Sequence, residues 1–314
     1  MKSVLRLGKL QITILLLLLF SVLIYAARLE ALLWYSIKPG FSAVSHQTSL
    51  ELGQYTVSID ALPISGVDSD LSGLTYNHET GTLFSVINGQ SSIVELSTSG
   101  ELLRKIALQG VKDVEGITHI NGHQYAIVDE AEHRLMLIEI LPETLTVDIT
   151  DVPQLRLDLN IRRNKSFEGV SWDEHHQRLL VVTERNPLRV LQITGFVEQS
   201  NGNDQLSVTE VTPGRFNRLA LRDLSSVTHG PHADTVLLLS HESRLLAEYD
   251  ADGKLLGSLN LWRGFHGLRA IFLKLKVLQS VLMAVSISPV NRICCMSLKN
   301  PRQCIKAGLR VSPK

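Results

Sequence analysis

The sequence predicts an all-β fold, a β-propeller of five blades with six as the alternative, behind an N-terminal transmembrane helix. Three observations support this. A module of two short hydrophobic strands returns four times, and its small residue stands at Gly73, Gly116, Gly169 and Ser226. The intervals of 43 to 57 residues suit one four-stranded blade each. Turn residues separate the strand candidates, and the body shows no sustained helical period.

The first segment is a candidate membrane anchor. Lys2, Arg6 and Lys9 precede an apolar run from Leu10 to Ala27. We therefore predict that residues 1–9 are cytoplasmic, that residues 10–27 cross the inner membrane once, and that residues 28–50 form a juxtamembrane tether. The body would then lie in the periplasm of a Gram-negative cell. A cleaved signal peptide is the alternative, although Tyr25 stands where cleavage after Ala27 requires a small residue.

The propeller domain is predicted at residues 51–270, with four strands in each visible blade. The expected strands are 72–76, 82–87, 92–96 and 102–108 in blade 1, 116–119, 124–128, 134–140 and 145–149 in blade 2, 169–172, 178–182, 188–193 and 206–211 in blade 3, and 226–229, 235–239, 245–249 and 255–261 in blade 4. A further strand at 55–62 precedes them. Propellers commonly close their ring by adding such a strand to the last blade.

The chain changes character after Ala270. Residues 271–314 contain eight Lys and Arg, no acidic residue, and all three cysteines. Back-translation of residues 271–300 with one base restored yields a string with the spacing of the missing module. We therefore interpret 271–314 as a frameshifted, non-native tail that disrupts the last blade and leaves the strand at 55–62 without partners. The alternative is that residues 275–289 supply strands of their own or a second membrane-associated segment. One base fewer near codons 270 and 271 than in an intact relative is the expected result of DNA sequencing.

Charge is distributed unevenly along a chain that is formally neutral. Residues 29–270 hold all 31 Asp and Glu but only 19 of the 31 Lys and Arg. An acidic body disfavours nucleic acid and anionic membrane surfaces as partners, and it favours cations or basic ligands.

Acidic residues recur at two places in the module. One precedes the first strand, and another follows the second strand. Because equivalent positions form rings about a propeller axis, these carboxylates are expected to converge on a calcium ion, whose preferred ligands are hard oxygen atoms. The predicted metal residues are Glu115, Glu130, Glu168, Glu184 and Glu242. The alternative role for each is to cap strands and bind backbone N–H groups of the neighbouring blade.

Four further residues are candidates for binding a ligand: Asn88, Arg185, His241 and Arg244. The two arginines would suit an anion such as a phosphate beside the metal, and an ion pair between blades is their alternative role. The pair His175-His176 is interpreted as part of a solvated hairpin, and a metal site is the alternative. The sequence contains no HExxH, G-x-S-x-G or P-loop motif, so no catalytic residue is predicted.

Several strings together resemble one family. They are Leu71–Asn77, Glu79–Phe84, Asp113–Ile117, Phe167–Val170, Thr183–Pro187 and Gly264–Leu268. They are similar to the SdiA-regulated family of YjiK-like proteins, and the resemblance covers about residues 51–270. It implies a membrane-anchored or periplasmic β-propeller and, for some relatives, a link to calcium.

Two functions from different classes follow. The first is a noncatalytic periplasmic propeller that binds a cation, a small ligand or a periplasmic protein. The second is a calcium-assisted hydrolase of phosphate esters or lactones. Three or more of the five predicted metal residues within metal-ligand distance around an open coordination position would favour the hydrolase, and carboxylates already occupied by backbone amides would favour the binding module.

Overall fold

The computed structural model describes residues 8–37, 49–67, 71–157, 167–185, 187–199, 205–211, 219–230 and 234–269, together with three strands at 274–279, 283–287 and 292–298. Helices are α1 (Lys9–Ala26), α2 (Glu30–Ile37) and α3 (Phe196–Gln199), and a 3-10 turn spans Leu52–Gln54. Of the described helices, α1 alone has the length and apolar composition needed to cross a membrane, and none of its residues is buried against protein.

The body of the protein is a β-propeller with four blades. Blade 1 contains β2 (Leu71–Asn77), β3 (Thr82–Ile87), β4 (Ser92–Leu96) and β5 (Leu102–Gln109). Blade 2 contains β6 (Val114–Asn121), β7 (Gln124–Asp129), β8 (Arg134–Glu139) and β10 (Gln154–Arg156). Blade 3 contains β11 (Phe167–Asp173), β12 (Arg178–Thr183), β13 (Arg189–Thr194) and β14 (Ser207–Glu210). Blade 4 contains β15 (Ser226–His229), β16 (Val236–Ser240), β17 (Leu245–Tyr249) and β18 (Leu255–Asn260).

The repeated small residue is where neighbouring inner strands come closest. A Cβ added to Gly73 of β2 would lie 2.7 Å from the Cα of Gly116 in β6, and one added to Gly169 of β11 would lie 2.9 Å from the Cα of Ser226 in β15. These distances are shorter than a normal carbon–carbon contact of about 3.5–4.0 Å. Glycine is therefore required at these positions of the repeat, because a side chain would push adjacent blades apart.

Hydroxyl groups two residues farther along the inner strands link the same blades. The Oγ1 of Thr75 accepts a hydrogen bond from the backbone N–H of His119 at 2.8 Å. The Oγ1 of Thr118 accepts one from the N–H of Trp172 at 3.0 Å. Apolar side chains fill the space between blades farther from the axis. One cluster joins blades 1 and 2, a second joins blades 2 and 3, and a third joins blades 3 and 4.

One strand leaves its own blade. Strand β9 (Thr146–Asp148) pairs in parallel with β5, so it forms the outer edge of blade 1 instead of the fourth strand of blade 2. The side chain of Arg104 binds the segment that precedes β9. Its Nη1 donates to the carbonyl oxygens of Leu141, Pro142 and Thr144 at 2.7–3.0 Å. Its Nε binds the carboxylate of Glu95 at 2.5 Å. The fourth strand of blade 2 is β10, which the sequence did not reveal.

The count of five blades was wrong for this chain. Between blades 4 and 1 lie two separate two-stranded sheets, β19 (Lys274–Gln279) with β20 (Met283–Ile287), and β21 (Arg292–Leu298) with β1 (Tyr55–Pro63). No described ladder joins the two sheets into a fifth blade, and β19 and β20 correspond to the alternative in which residues 275–289 supply strands of their own. The expectation that β1 has no partner was also wrong, because β21 supplies one from the C-terminal segment. The frameshift itself stays a prediction about the DNA.

The segment predicted as a tether contains helix α2, which packs on blade 4. Ala31 and Tyr35 belong to the apolar cluster between blades 3 and 4. The hydroxyl groups of Tyr35 and Tyr249 form a buried hydrogen bond of 2.6 Å. Farther along, the Oγ of Ser49 donates to the fully buried carboxylate of Glu248 at 3.0 Å.

Candidate metal centre

Strand register identifies the polar ring at one end of the propeller axis. Val128, Val182 and Leu239 face the small residues of blades 2, 3 and 4. Two positions farther along the chain lie Glu130, Glu184 and His241, and Asn88 has the corresponding place in blade 1. The sequence analysis had given Glu242 this place in blade 4. The strand register gives the ring position of blade 4 to His241, because β16 ends at Ser240 and His241 follows it directly. Glu242 lies one residue beyond the ring.

Three carboxylates meet at this end of blade 2. One oxygen from each of Asp113, Glu115 and Glu130 lies within 4.8 Å of the other two. The strand ends bring them together, because Asp113 and Glu115 flank the start of β6 and Glu130 follows β7. The backbone N–H of Glu130 donates to the carbonyl oxygen of Asp113 at 2.8 Å. Among the described residues, this trio is the one group that brings three potential metal ligands so close.

The surroundings of the trio help to fix its geometry. Glu115 is 3% exposed, and one of its carboxylate oxygens accepts a hydrogen bond from the side-chain amide of Asn88 in the neighbouring blade. Ligands on opposite sides of a Ca²⁺ ion are about 4.6–5.2 Å apart, since each lies about 2.3–2.6 Å from the ion. The spacing of the trio therefore suits an oxygen-coordinated divalent cation.

Sequence reasoning identified Glu115 and Glu130 but missed Asp113. A signal for Asp113 was present in the repeat. Asp70, Asp113 and Asp223 each stand three residues before the small residue of their module. Asp70 lies outside the described residues.

Glu184 and Glu242 lie in a second charged cluster, between blades 3 and 4. The Nη2 of Arg185 binds an oxygen of Glu184 at 2.7 Å and an oxygen of Glu242 at 2.9 Å. Burial opposes the charge of Arg185, but the two carboxylates outweigh it and raise the pKa of the guanidinium. This geometry corresponds to the alternative role, an ion pair that links blades. Glu168 is buried at the start of β11, outside the trio.

Asp223 lies close enough to Arg185 of this ion pair to interact with its charge. It is 2% exposed and accepts hydrogen bonds from the Oγ of Ser240 at 2.5 Å and from the backbone N–H of Glu242 at 2.9 Å. Burial raises the pKa of its carboxyl to about 6, against the opposing effect of these hydrogen bonds. The sequence analysis did not single out this residue.

Arg244 and His241 belong to the turn after β16. The guanidinium carbon of Arg244 lies 4.4 Å from the ring centroid of Trp262, and burial lowers the pKa of this arginine. The backbone N–H of Arg244 donates to the carbonyl oxygen of His241 at 3.2 Å. The described contacts of Arg244 therefore hold a turn against the outer part of blade 4.

Histidines gather at the opposite end of the axis. A cavity of about 540 Å³ is lined there by Asp173, Glu174, His175, His176, His229, Gly230, Asp234 and Thr235. The Nδ1 of His176 lies 2.8 Å from a carboxylate oxygen of Asp173, and its Nε2 lies 2.8 Å from one of Asp234. The interpretation of the His175-His176 pair as a solvated hairpin was therefore incomplete, because His176 also connects blade 3 with blade 4.

Many solved structures are similar to this chain. A luciferin-regenerating enzyme shares 10% sequence identity with a TM-score of 0.44, and the match covers 70% of this chain and 83% of that one. Virginiamycin B lyase from Staphylococcus aureus shares 10% identity with a TM-score of 0.48, and the match covers 77% of this chain and 99% of that one. A family model matches residues 47–273, most of the chain, and includes the whole of blades 1 to 4. The protein therefore belongs to the SdiA-regulated family.

Proposed function

We propose that this protein is a membrane-anchored β-propeller that binds a divalent cation, with Ca²⁺ as the best fit, at Asp113, Glu115 and Glu130. The observation that carries the proposal is the approach of the three carboxylates to within 4.8 Å of one another. Like charges at this distance repel each other, and a bound divalent cation would turn that repulsion into attraction.

The type of ligand atom favours calcium over a transition metal. All three side chains offer carboxylate oxygens, and neither imidazole nor thiolate takes part in the trio. Oxygen-only sites suit Ca²⁺ and Mg²⁺, whereas nitrogen and sulfur ligands favour zinc and copper. Ca²⁺ accepts irregular geometry and exchanges its water for protein oxygens more readily than Mg²⁺, and so it is the better match to three carboxylates supplied by a strand start and a strand end.

The proposed location rests on α1 and the charges before it. An 18-residue helix is about 27 Å long, close to the thickness of the hydrocarbon core. Lys2 and Arg6 precede α1, and Lys9 is its first residue. Positive charges favour the cytoplasmic side, which would leave the propeller in the periplasm. There it would act as a noncatalytic module whose cation site faces a small ligand or a protein partner, because two of the five predicted acids, Glu115 and Glu130, belong to the trio and Arg185 binds Glu184 and Glu242.

Thermal unfolding of the full chain in detergent, with Ca²⁺, with Mg²⁺ or with a chelator, tests the cation site. A ligand at about 100 times its Kd stabilises the native state by about 2.7 kcal/mol. For a domain of this size that corresponds to a rise in Tm of roughly 5–11 °C. We expect this rise with Ca²⁺, and we expect Glu115→Gln to abolish it.

Glu168→Gln is the matched control, because Glu168 is a buried carboxylate at the same position of blade 3 but outside the trio. The control variant should keep the response to Ca²⁺. In the presence of chelator, Glu115→Gln should melt no lower than the wild type, since the substitution relieves repulsion. A wild-type Tm that Ca²⁺ leaves unchanged, or a calcium response that survives Glu115→Gln, would refute the site.

A further inference from the structure

We propose that the outward face of α2, formed by Leu33, Trp34 and Ile37, lies in the lipid headgroup region of the same bilayer that α1 crosses. Helix α2 would then bind the membrane on one side and the propeller on the other. The proposal rests on the membrane anchoring proposed above, and it adds a specific contact surface between the folded body and lipid.

The two faces of α2 follow from helical spacing. Ala31 and Tyr35 are four residues apart and share one face, which is 1–2% exposed because it packs on the propeller. Leu33, Trp34 and Ile37 share the other face and are 43–59% exposed. Three large apolar side chains on one exposed face are unusual for a helix in water, where that face is normally polar.

The inner face holds α2 in place through contacts of different kinds. The Tyr35 hydroxyl bonds to that of Tyr249, and burial raises the pKa of Tyr35 to about 12. Glu30 forms an ion pair with Arg222 of the propeller. Because these contacts fix the rotation of the helix, its apolar side points away from the propeller.

Continuity with α1 identifies lipid as the occupant of the outer face. Helix α1 ends at Ala26, and α2 begins at Glu30, so only three residues separate them. Arg222 of the propeller also donates to the carbonyl oxygen of Tyr25 at 2.6 Å, and its guanidinium lies 4.4 Å from the Tyr25 ring centroid. The propeller therefore contacts the very end of the spanning helix, and the outer face of α2 starts at the level where that helix leaves the bilayer.

The residue types in and just before α2 are those found at the level of the lipid headgroups. Tryptophan is enriched at membrane–water interfaces, where its ring lies at the level of the headgroups. Arg28 lies in the connection between the two helices, with a φ of 58° that turns the chain. A basic side chain at this point is placed to meet lipid phosphate groups.

Fluorescence quenching in lipid vesicles tests the proposal with the full chain. Wild type and Trp34→Phe are reconstituted into phosphatidylcholine vesicles whose acyl chains carry bromine near the headgroup or near the terminal methyl. The difference between the two emission spectra reports Trp34, while Trp172 and Trp262 stay unchanged in both proteins. We expect loss of most Trp34 emission with the shallow bromine, weaker loss with the deep bromine, and reduced quenching by aqueous acrylamide.

Flotation of the vesicles on a density gradient separates this inference from the anchoring. A protein that floats with the vesicles but whose Trp34 emission is insensitive to both brominated lipids would overturn the α2 contact and leave the anchor intact. A protein that does not float would overturn the anchoring and the α2 contact together. A protein that floats and shows stronger quenching by the deep bromine would contradict the interfacial position of α2.

Discussion

The close approach of inner strands makes Gly73→Ala an informative perturbation. The new methyl carbon would lie 2.6 Å from the backbone N of Ile117, 2.7 Å from the Cα of Gly116 and 2.9 Å from its carbonyl carbon. All three are main-chain atoms of β6, which is held in register by its ladder with β7. No flexible side chain can move aside, so blades 1 and 2 must separate by about 1 Å to restore a normal contact.

The expected cost lies at the upper end of the range for overpacking, about 3 kcal/mol. In a domain of this size, each kcal/mol lowers the Tm by about 2–4 °C, so Gly73→Ala should melt roughly 6–12 °C below the wild type. Thermal unfolding of the full chain, followed by the fluorescence of the buried Trp172, measures the change.

Gly53→Ala is the matched control. Gly53 lies in the 3-10 turn, and nothing stands within 4 Å of a Cβ added there. Both substitutions reduce the backbone freedom of the unfolded chain in the same way. In Gly53→Ala, which meets no clash, this effect should raise the free energy of unfolding by about 0.4–1 kcal/mol. If the two variants melted at the same temperature, the argument that the repeated glycines exist for contact between blades would be refuted.

Two buried groups give further predictions. Because the pKa of Asp223 is about 6 in the folded protein against an ordinary 3.8, the stability it contributes is full below about pH 4 and is lost as pH rises through 6. In denaturant titrations, the free energy of unfolding of Asp223→Asn relative to that of the wild type should therefore rise by about 3 kcal/mol between pH 4 and pH 7. A difference between the two proteins that does not change with pH would contradict this prediction. Arg134→Met leaves the fully buried Asp129 without its 2.8 Å ion pair and should cost about 3–5 kcal/mol, most of it restored by adding Asp129→Asn.

The strands of the four blades could be predicted because their signals are local. Alternating apolar residues and turn residues placed most strand ends within one or two positions of those observed, as in β3 and β4. The exchange of β9 into blade 1 could not be predicted in this way. Strand propensity predicts that a segment forms a strand, but it does not predict which strand the segment pairs with. The pairing of β9 with β5 depends on tertiary contacts such as those of Arg104 with the chain before β9.

The helix α2 was missed for a related reason. Its eight residues are too few to show a clear period, and isolated helices of this length are marginal in water. Its helical form depends on packing of Tyr35 against blade 4, which is a tertiary contact.

The candidate site could be predicted in part. Equivalence between repeats identified Glu115 and Glu130, since a residue at a strand end keeps its place from blade to blade. Asp113 was missed because the repeat was aligned on the residue next to glycine. The error at Glu242 arose from counting sequence positions across a turn whose length differs between blades. Only the ladder between β15 and β16 shows that His241 holds the ring position.

The crossing of β9 also constrains how the protein matures during synthesis. Blade 1 begins at Leu71, yet its outermost strand ends at Asp148, beyond the first three strands of blade 2. As the chain is synthesised from its N-terminus, the edge of β5 stays unpaired until most of the second blade has also been made. Blades 1 and 2 are therefore expected to mature as one unit, so that a chain halted between them would expose an unprotected strand edge to other chains.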